Sequence, residues 1–209
     1  MWHLPIPLLL ALFFAFNTFN CSGQTIPQKV GGPCEGCEAV LEYGDKQLSA
    51  VDTLPNFEHT EPQLKITGTV YHKGGKMPAE GVILYIYHIN RKGIYETKGD
   101  ETGMARRHGY IRGWIETGSD GNYTFYTFRP AAYPNGSEPE HIHILVKEPT
   151  KNEYYIDNYV FDDDPMLTQQ ERENLKNRGG SGIVHPQVSK GMLAIKRDII
   201  LGLNIPNYE

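Results

Sequence analysis

The 209-residue sequence carries no excess of basic residues: 20 Lys and Arg stand against 25 Asp and Glu, for a net charge of −5. With no Lys/Arg run to neutralise phosphates, a dedicated nucleic-acid binder is excluded. Cysteine is scarce, at positions 21, 34 and 37 only. Cys34 and Cys37 have no second C-x-x-C and no nearby H-x-x-x-H beside them, so a zinc site is incomplete. No G-x-G-x-x-G follows a candidate strand, which removes the dinucleotide-binding fingerprint. The apolar run of residues 4–16 is too short for a comfortable membrane span, and Pro5 and Pro7 interrupt it. Internal repeats and low-complexity tracts are absent as well. What remains is an ordinary globular composition, 39% hydrophobic and 22% charged, of a length suited to one domain or two small ones.

Residues 1–23 stand apart as a signal peptide or lipoprotein signal, although they hold no Lys or Arg to form a positive n-region. Cys21, followed by Ser22, Gly23 and Gln24, occupies the place of a lipid-anchored cysteine, while Phe19 and Asn20 depart from the small-residue consensus. The expectation is export: secreted, periplasmic or lipid-anchored. Cys34-Glu35-Gly36-Cys37 could be half a zinc site, a redox pair or a tight disulfide. In an oxidising compartment a small structural disulfide is the favoured reading.

Three segments follow: the signal (1–23), a lead containing the C-x-x-C (24–62) and a strand-rich core (63–209). The 22 Gly, 14 Pro and 13 Tyr favour short strands joined by tight turns. Strands are expected over 65–71, 82–88, 123–128, 141–147, 154–161 and 192–201, several with period-2 alternation. Gly74-Gly75, Ser119-Asp120-Gly121 and Pro134-Asn135-Gly136 supply turns. A helix is expected over 169–177, with Thr168 and Glu171 as a capping box and Gly179-Gly180 as its stop. The fold class is therefore all-β: a β-sandwich with one short helix and long connecting loops.

His141-Ile142-His143 lies within an expected strand, where residues two apart point to one face, so both imidazoles can converge on one metal. Alone, H-x-H is also compatible with two histidines on a polar sheet face. A cupin needs a Gly earlier than Gly136 and a third histidine in a second motif, which His185, followed by Pro186, does not provide.

The surroundings of the pair are more specific. Upstream stands LYIYHINRKGIY, and from Arg112 the chain reads RGWIETGSDGNYTFYTFRPAAYPNGSEPEHIHILV. Asn90, Gly93 and Tyr95, then Arg112, Gly113, Thr117, Gly121, Tyr123, Phe125, Thr127, Pro130, Tyr133 and Pro134, then His141 and His143, fall in one order. In that order the sequence resembles the intradiol ring-cleavage dioxygenases, the family of protocatechuate and catechol dioxygenases, over about residues 63–165.

The resemblance implies an Fe(III) enzyme with Tyr95, Tyr133, His141 and His143 as iron ligands, Tyr133 being the tyrosine that leaves when substrate binds. Its substrates would be a small aromatic diol and O2, both oxygen atoms entering the opened ring. Ferric iron is a hard ion that suits phenolate and accepts imidazole, and two phenolates with one hydroxide balance its charge. Arg112 and Asn158 are the implied supporting residues of the substrate pocket, and Trp114 is expected in core packing.

Several positions depart from the family pattern. Glu138 stands where Arg is common, the stretch from Tyr133 to His141 is short, and Gly118 replaces an Asp. The helical N-terminal segment of catechol dioxygenases is missing, which makes the chain closer to protocatechuate dioxygenase subunits. An oligomer is open, and the sequons at Asn122 and Asn135 matter only in a eukaryotic source. The alternative is a non-catalytic transthyretin-like or carboxypeptidase-regulatory-like module, which GTVYHKGGKMPAEGVILYIY and SDGNYTFYTF would equally suit. Such a module has no reason to hold two tyrosines and H-x-H in this order.

Overall fold

Strict alternation of apolar and polar residues in QLKITGTVY produces the longest strand, β2 (Gln63–Tyr71), with every second residue buried. The structure, a computed structural model, describes Met1 and residues 29–209. The signal reading of 1–23 and the anchor reading of Cys21 lie outside the described residues. In chain order the other strands are β1 (Val51–Thr53), β3 (Ile83–Tyr87), β4 (Arg112–Glu116), β5 (Asn122–Phe128) and β6 (His141–Lys147). They continue with β7 (Tyr154–Tyr155), β8 (Tyr159–Phe161), β9 (Ile183–Val184), β10 (Gln187–Ser189), β11 (Met192–Lys196) and β12 (Ile199–Ile200). Two short helices complete the set, α1 (Ala105–His108) and α2 (Gln169–Asn174).

The strands form two sheets. One runs β1-β5-β2-β11-β10, with β12 also on β2; the other runs β4-β3-β6-β8-β9, with β7 also on β6. Leu64, Ile66 and Phe125 of the first sheet and Leu84, Ile86, Ile142, Ile144 and Val146 of the second belong to one buried cluster. This is the sandwich core expected of two amphipathic sheets. The alternate residues of β3, β4 and β6 point the other way. On that outer face Tyr85, Trp114 and Leu145 form a second cluster with Cys37, Ala39 and Val40, carried by a 3-10 turn over Cys37–Leu41. The lead thus lies over the outer face, and its β1 pairs in parallel with β5.

The all-β sandwich holds, with differences of detail. A second helix, α1, is present; at four residues and without a side-chain cap, ARRH carried no signal. The capping box of Thr168 and Glu171 is formed, but α2 stops at Asn174 because Leu175 turns extended. The expected strand 154–161 divides into β7 and β8, and 192–201 into β11 and β12. One cause serves both breaks: Arg197 is buried and donates to the carbonyls of Asp157, Arg178 and Gly180, so its neighbours leave the ladder.

Candidate metal centre

The antiparallel register sets Tyr87 opposite both His143 and Arg112, so β6, β3 and β4 present these three residues side by side on the outer face. His141, two residues before His143, shares that face. Two loops then bring the tyrosines. Asn90 accepts the amides of Lys92 and Ile94 at 2.8 and 3.2 Å, closing the turn that leads into Tyr95. Gly93 in that turn has φ +77, and a Cβ there would stand 2.6 Å from Pro134 Cδ. Glycine therefore lets the Tyr95 turn lie against the Tyr133-Pro134 loop.

Four donor atoms meet as a result. Tyr95 Oη lies 2.7 Å from Tyr133 Oη and 2.7 Å from His143 Nε2, and His141 Nε2 lies 3.2 Å from His143 Nε2. His141 Nδ1 donates to the carbonyl of Pro139 at 2.7 Å, which leaves its Nε2 as a lone pair aimed into the cluster. The Asn158 side chain lines the same cavity as the ring of His143. A carbonyl behind an imidazole is the usual orienting partner of a metal-ligating histidine.

Burial dominates the electrostatics of Tyr95, Tyr133 and His143. Burial, then the neighbouring His141, push the His143 pKa well below its ordinary value. Burial is also the first cause that raises Tyr95 and Tyr133, followed for Tyr95 by its bond to Tyr133. Tyr87 is pushed up to about 12 by burial and by Tyr133. Tyr87 stacks between His143 and His108, at centroid distances of 4.4 and 3.8 Å, and fixes the plane of His143.

The cluster fits a metal ion. Donors each about 2.1 Å from a shared first-row ion and at right angles lie about 3 Å apart; the three separations above bracket that value. Among the described residues no group of three His, Cys, Asp or Glu could hold a metal, so the phenols are needed to complete the set. Hard phenolate oxygens beside imidazole favour a hard, highly charged cation such as Fe(III).

The other expected residues fall differently. Asn158 lies at the site, lining cavities of about 330 and 280 Å3 that open beside His141 and His143 respectively. Arg112 is two strands from His143. Its guanidinium donates to Glu42 at 2.7 Å and lies 5.0 Å from the Trp114 ring, so no direct contact with the four donors supports a pocket role. Trp114 packs in the outer cluster and donates to the carbonyl of Ala39. Glu138 stands at the edge of the site, its carboxylate 3.8 Å from His141 Nε2 and 57% exposed. Residues not singled out from sequence are Tyr87, His108 and Glu42. The alternation in LYIYHI carried a signal for Tyr87, but only the strand pairing brings it to His143.

A two-layer β-sandwich with a Tyr2His2 cluster on the outer face of one sheet defines the class of protein. Comparison with known proteins agrees. The chain is 30% identical over 167 residues to catechol 1,2-dioxygenase 1 of Acinetobacter lwoffii, covering 69% of this chain and 51% of that protein. It is 27% identical over 137 residues to the protocatechuate 3,4-dioxygenase beta chain of Burkholderia cepacia, covering 60% and 58%. The chain thus spans a little over half the length of these relatives. Among solved structures, the dioxygenase domain of a dioxygenase carbohydrate-binding fusion from Streptomyces sp. SirexAA-E superposes with TM-score 0.55 at 22% identity, covering 77% of this chain and 94% of that one. For 3-chlorocatechol 1,2-dioxygenase from Rhodococcus opacus 1CP the TM-score is 0.58 at 17% identity, covering 83% and 71%. No family model matches. The chain is thus similar in sequence to catechol 1,2- and protocatechuate 3,4-dioxygenases, and it shares the fold of the dioxygenase structures.

Proposed function

We propose that the chain is an exported non-haem Fe(III) dioxygenase that opens a catechol-type ring between its two hydroxyls with O2, giving a muconate-type diacid. The observation that carries this reading is the convergence of Tyr95, Tyr133, His141 and His143 within hydrogen-bond distance of one another. These four would hold the iron. When bound, ferric iron supplies the positive charge that ionises phenols and diol and makes the ring reactive toward O2.

The chain's own contributions follow from position. His141 is oriented by its bond to the Pro139 carbonyl and His143 by its stacking on Tyr87, so they act as permanent anchors. Tyr133 sits on the Tyr133–Gly136 turn and is half-buried, the Gly136 amide donating to its carbonyl. It is the phenol free to move; ionised to phenolate by a bound ferric ion, its Oη would take the proton from one catechol hydroxyl as the diol enters and leave as neutral phenol. The cavity beside His141 is lined by Ile156, Val160, Leu167 and Leu175, apolar surface suited to a ring and to excluding water. Residues 1–23 serve export in this reading, with Cys21 as the lipid attachment point if the chain is anchored.

The reaction itself is the test. Catechol under 18O2 should give a ring-opened diacid carrying one labelled oxygen in each carboxyl, with no NADH consumed. Cleavage outside the two hydroxyls, or a need for reductant, would contradict the assignment.

A further inference from the structure

We propose that the loop of residues 33–37, closed by the Cys34–Cys37 disulfide, is the substrate-facing wall of the candidate centre and sets the size of ring substituent admitted; the inference rests on the dioxygenase reading above. The cavity beside His143 has Tyr87, His143 and Asn158 on one side and Pro33, Cys34 and Glu35 on the other. Its volume of about 280 Å3 sits just below the ~300 Å3 at which small-ligand pockets begin. One ring fits and little more.

The loop is seated against the outer face by three ties. Cys37 is buried with Tyr85, Trp114 and Leu145, on the face that carries His143. Gly36 has φ +80, and a Cβ there would stand 2.8 Å from Met104 Cε and 3.2 Å from His108 Nε2. Only glycine lets the backbone settle so close to the ring that stacks on Tyr87. Glu35 pairs with Arg107 of α1, but both side chains are largely exposed, and such pairs contribute little.

The disulfide is therefore the firm link between the cavity-lining half of the loop and its buried anchor. Cys34 lines the cavity; Cys37 is fixed in the outer cluster. With the bond removed, Pro33 to Glu35 would span freely between Gly31, whose amide donates to the Pro206 carbonyl, and the seated Gly36-Cys37, with only the exposed Glu35–Arg107 pair between, and the wall would loosen.

The test uses the iron-loaded protein under anaerobic conditions, with dissociation constants measured for catechol and 4-tert-butylcatechol and the visible band as a check on the metal. In Cys34→Ser/Cys37→Ser the band should persist, catechol should bind about tenfold more weakly, and discrimination against the bulky ring should fall about fivefold. Pro33→Trp adds bulk at an exposed loop position and should act oppositely, weakening 4-tert-butylcatechol about tenfold while catechol stays within about threefold. If the double variant does not fold, Pro33→Trp decides alone. Wild-type discrimination in the folded variants, or loss of the iron band in the double variant, would overturn the wall. If the wild-type protein itself binds neither iron nor catechol, the dioxygenase reading fails and the wall falls with it.

Discussion

The two faces of the sheet β4-β3-β6 are built from alternate residues of the same strands, yet they do different work. On the inner face stand Leu84, Ile86, Ile115, Ile142, Ile144 and Val146, each no more than 1% exposed and all in the sandwich core. On the outer face stand Tyr85, Tyr87, Arg112, Trp114, His141 and His143, covered by loops and by the lead. A one-residue slip of β6 would exchange the two sets. The hydrophobic demand of the inner face thus fixes the register that holds the outer face's donors in place. Stability and candidate chemistry are separable by side-chain parity.

Changing one residue on each face gives the largest contrast. His143→Ala should abolish iron binding while moving the melting temperature by only a few degrees, since the ring contributes donors rather than core volume. Ile144→Ala, its neighbour, should cost about 2–5 kcal/mol of stability yet leave the folded fraction able to bind iron. Metal analysis and denaturant titration of both variants check this. Equal damage to both properties in both variants would dissolve the contrast.

One histidine sharpens it with pH. His88 follows β3 and is buried toward the core, its Nδ1 donating to Ile89 O and its Nε2 accepting from Thr127 Oγ1. Burial lowers its pKa from 6.5 to about 4. The unfolded chain therefore binds this proton first. Stability is complete above about pH 6.5 and declines as pH falls toward 4, by up to about 3 kcal/mol from this group. Urea midpoints across that range should fall, and His88→Gln should flatten the decline. A slope unchanged in the variant would assign the acid sensitivity elsewhere.

Glu138 carries a smaller effect, on the outer face only. Its carboxylate near His141 opposes negative charge brought by the substrate. Neutral catechols should be turned over better than protocatechuate. Glu138→Arg should raise kcat/KM for the carboxylated ring relative to catechol by about tenfold, roughly one screened charge reversal. An unchanged ratio would leave Glu138 as a loop residue facing solvent.

Much of this arrangement was legible in the residues. HIHILVK gave β6 with its bounds, because β-branched residues recur at every second position, Ile142, Ile144 and Val146, with only Leu145 breaking the polar phase between them. Thr168 and Glu171 gave the start of α2 through a local interaction, which needs no tertiary partner. The Tyr and His positions were readable through family resemblance rather than through periodicity. What could not be read depends on distant pairs. β1 is three residues long and exists by pairing with β5. The pairing of Arg112 with Glu42 joins residues 70 apart in sequence, a contact that no local pattern announces. The breaks near residues 157 and 197 come from one buried guanidinium, for which local sequence has no signature.

The most direct test of the account is the metal itself. Aerobically purified protein, reconstituted with ferric iron, should hold one ion per chain and show a visible phenolate-to-iron charge-transfer band. Tyr95→Phe and Tyr133→Phe should each shift or bleach that band. A protein that stays colourless and iron-free after reconstitution would contradict the reading of these four residues as a metal centre.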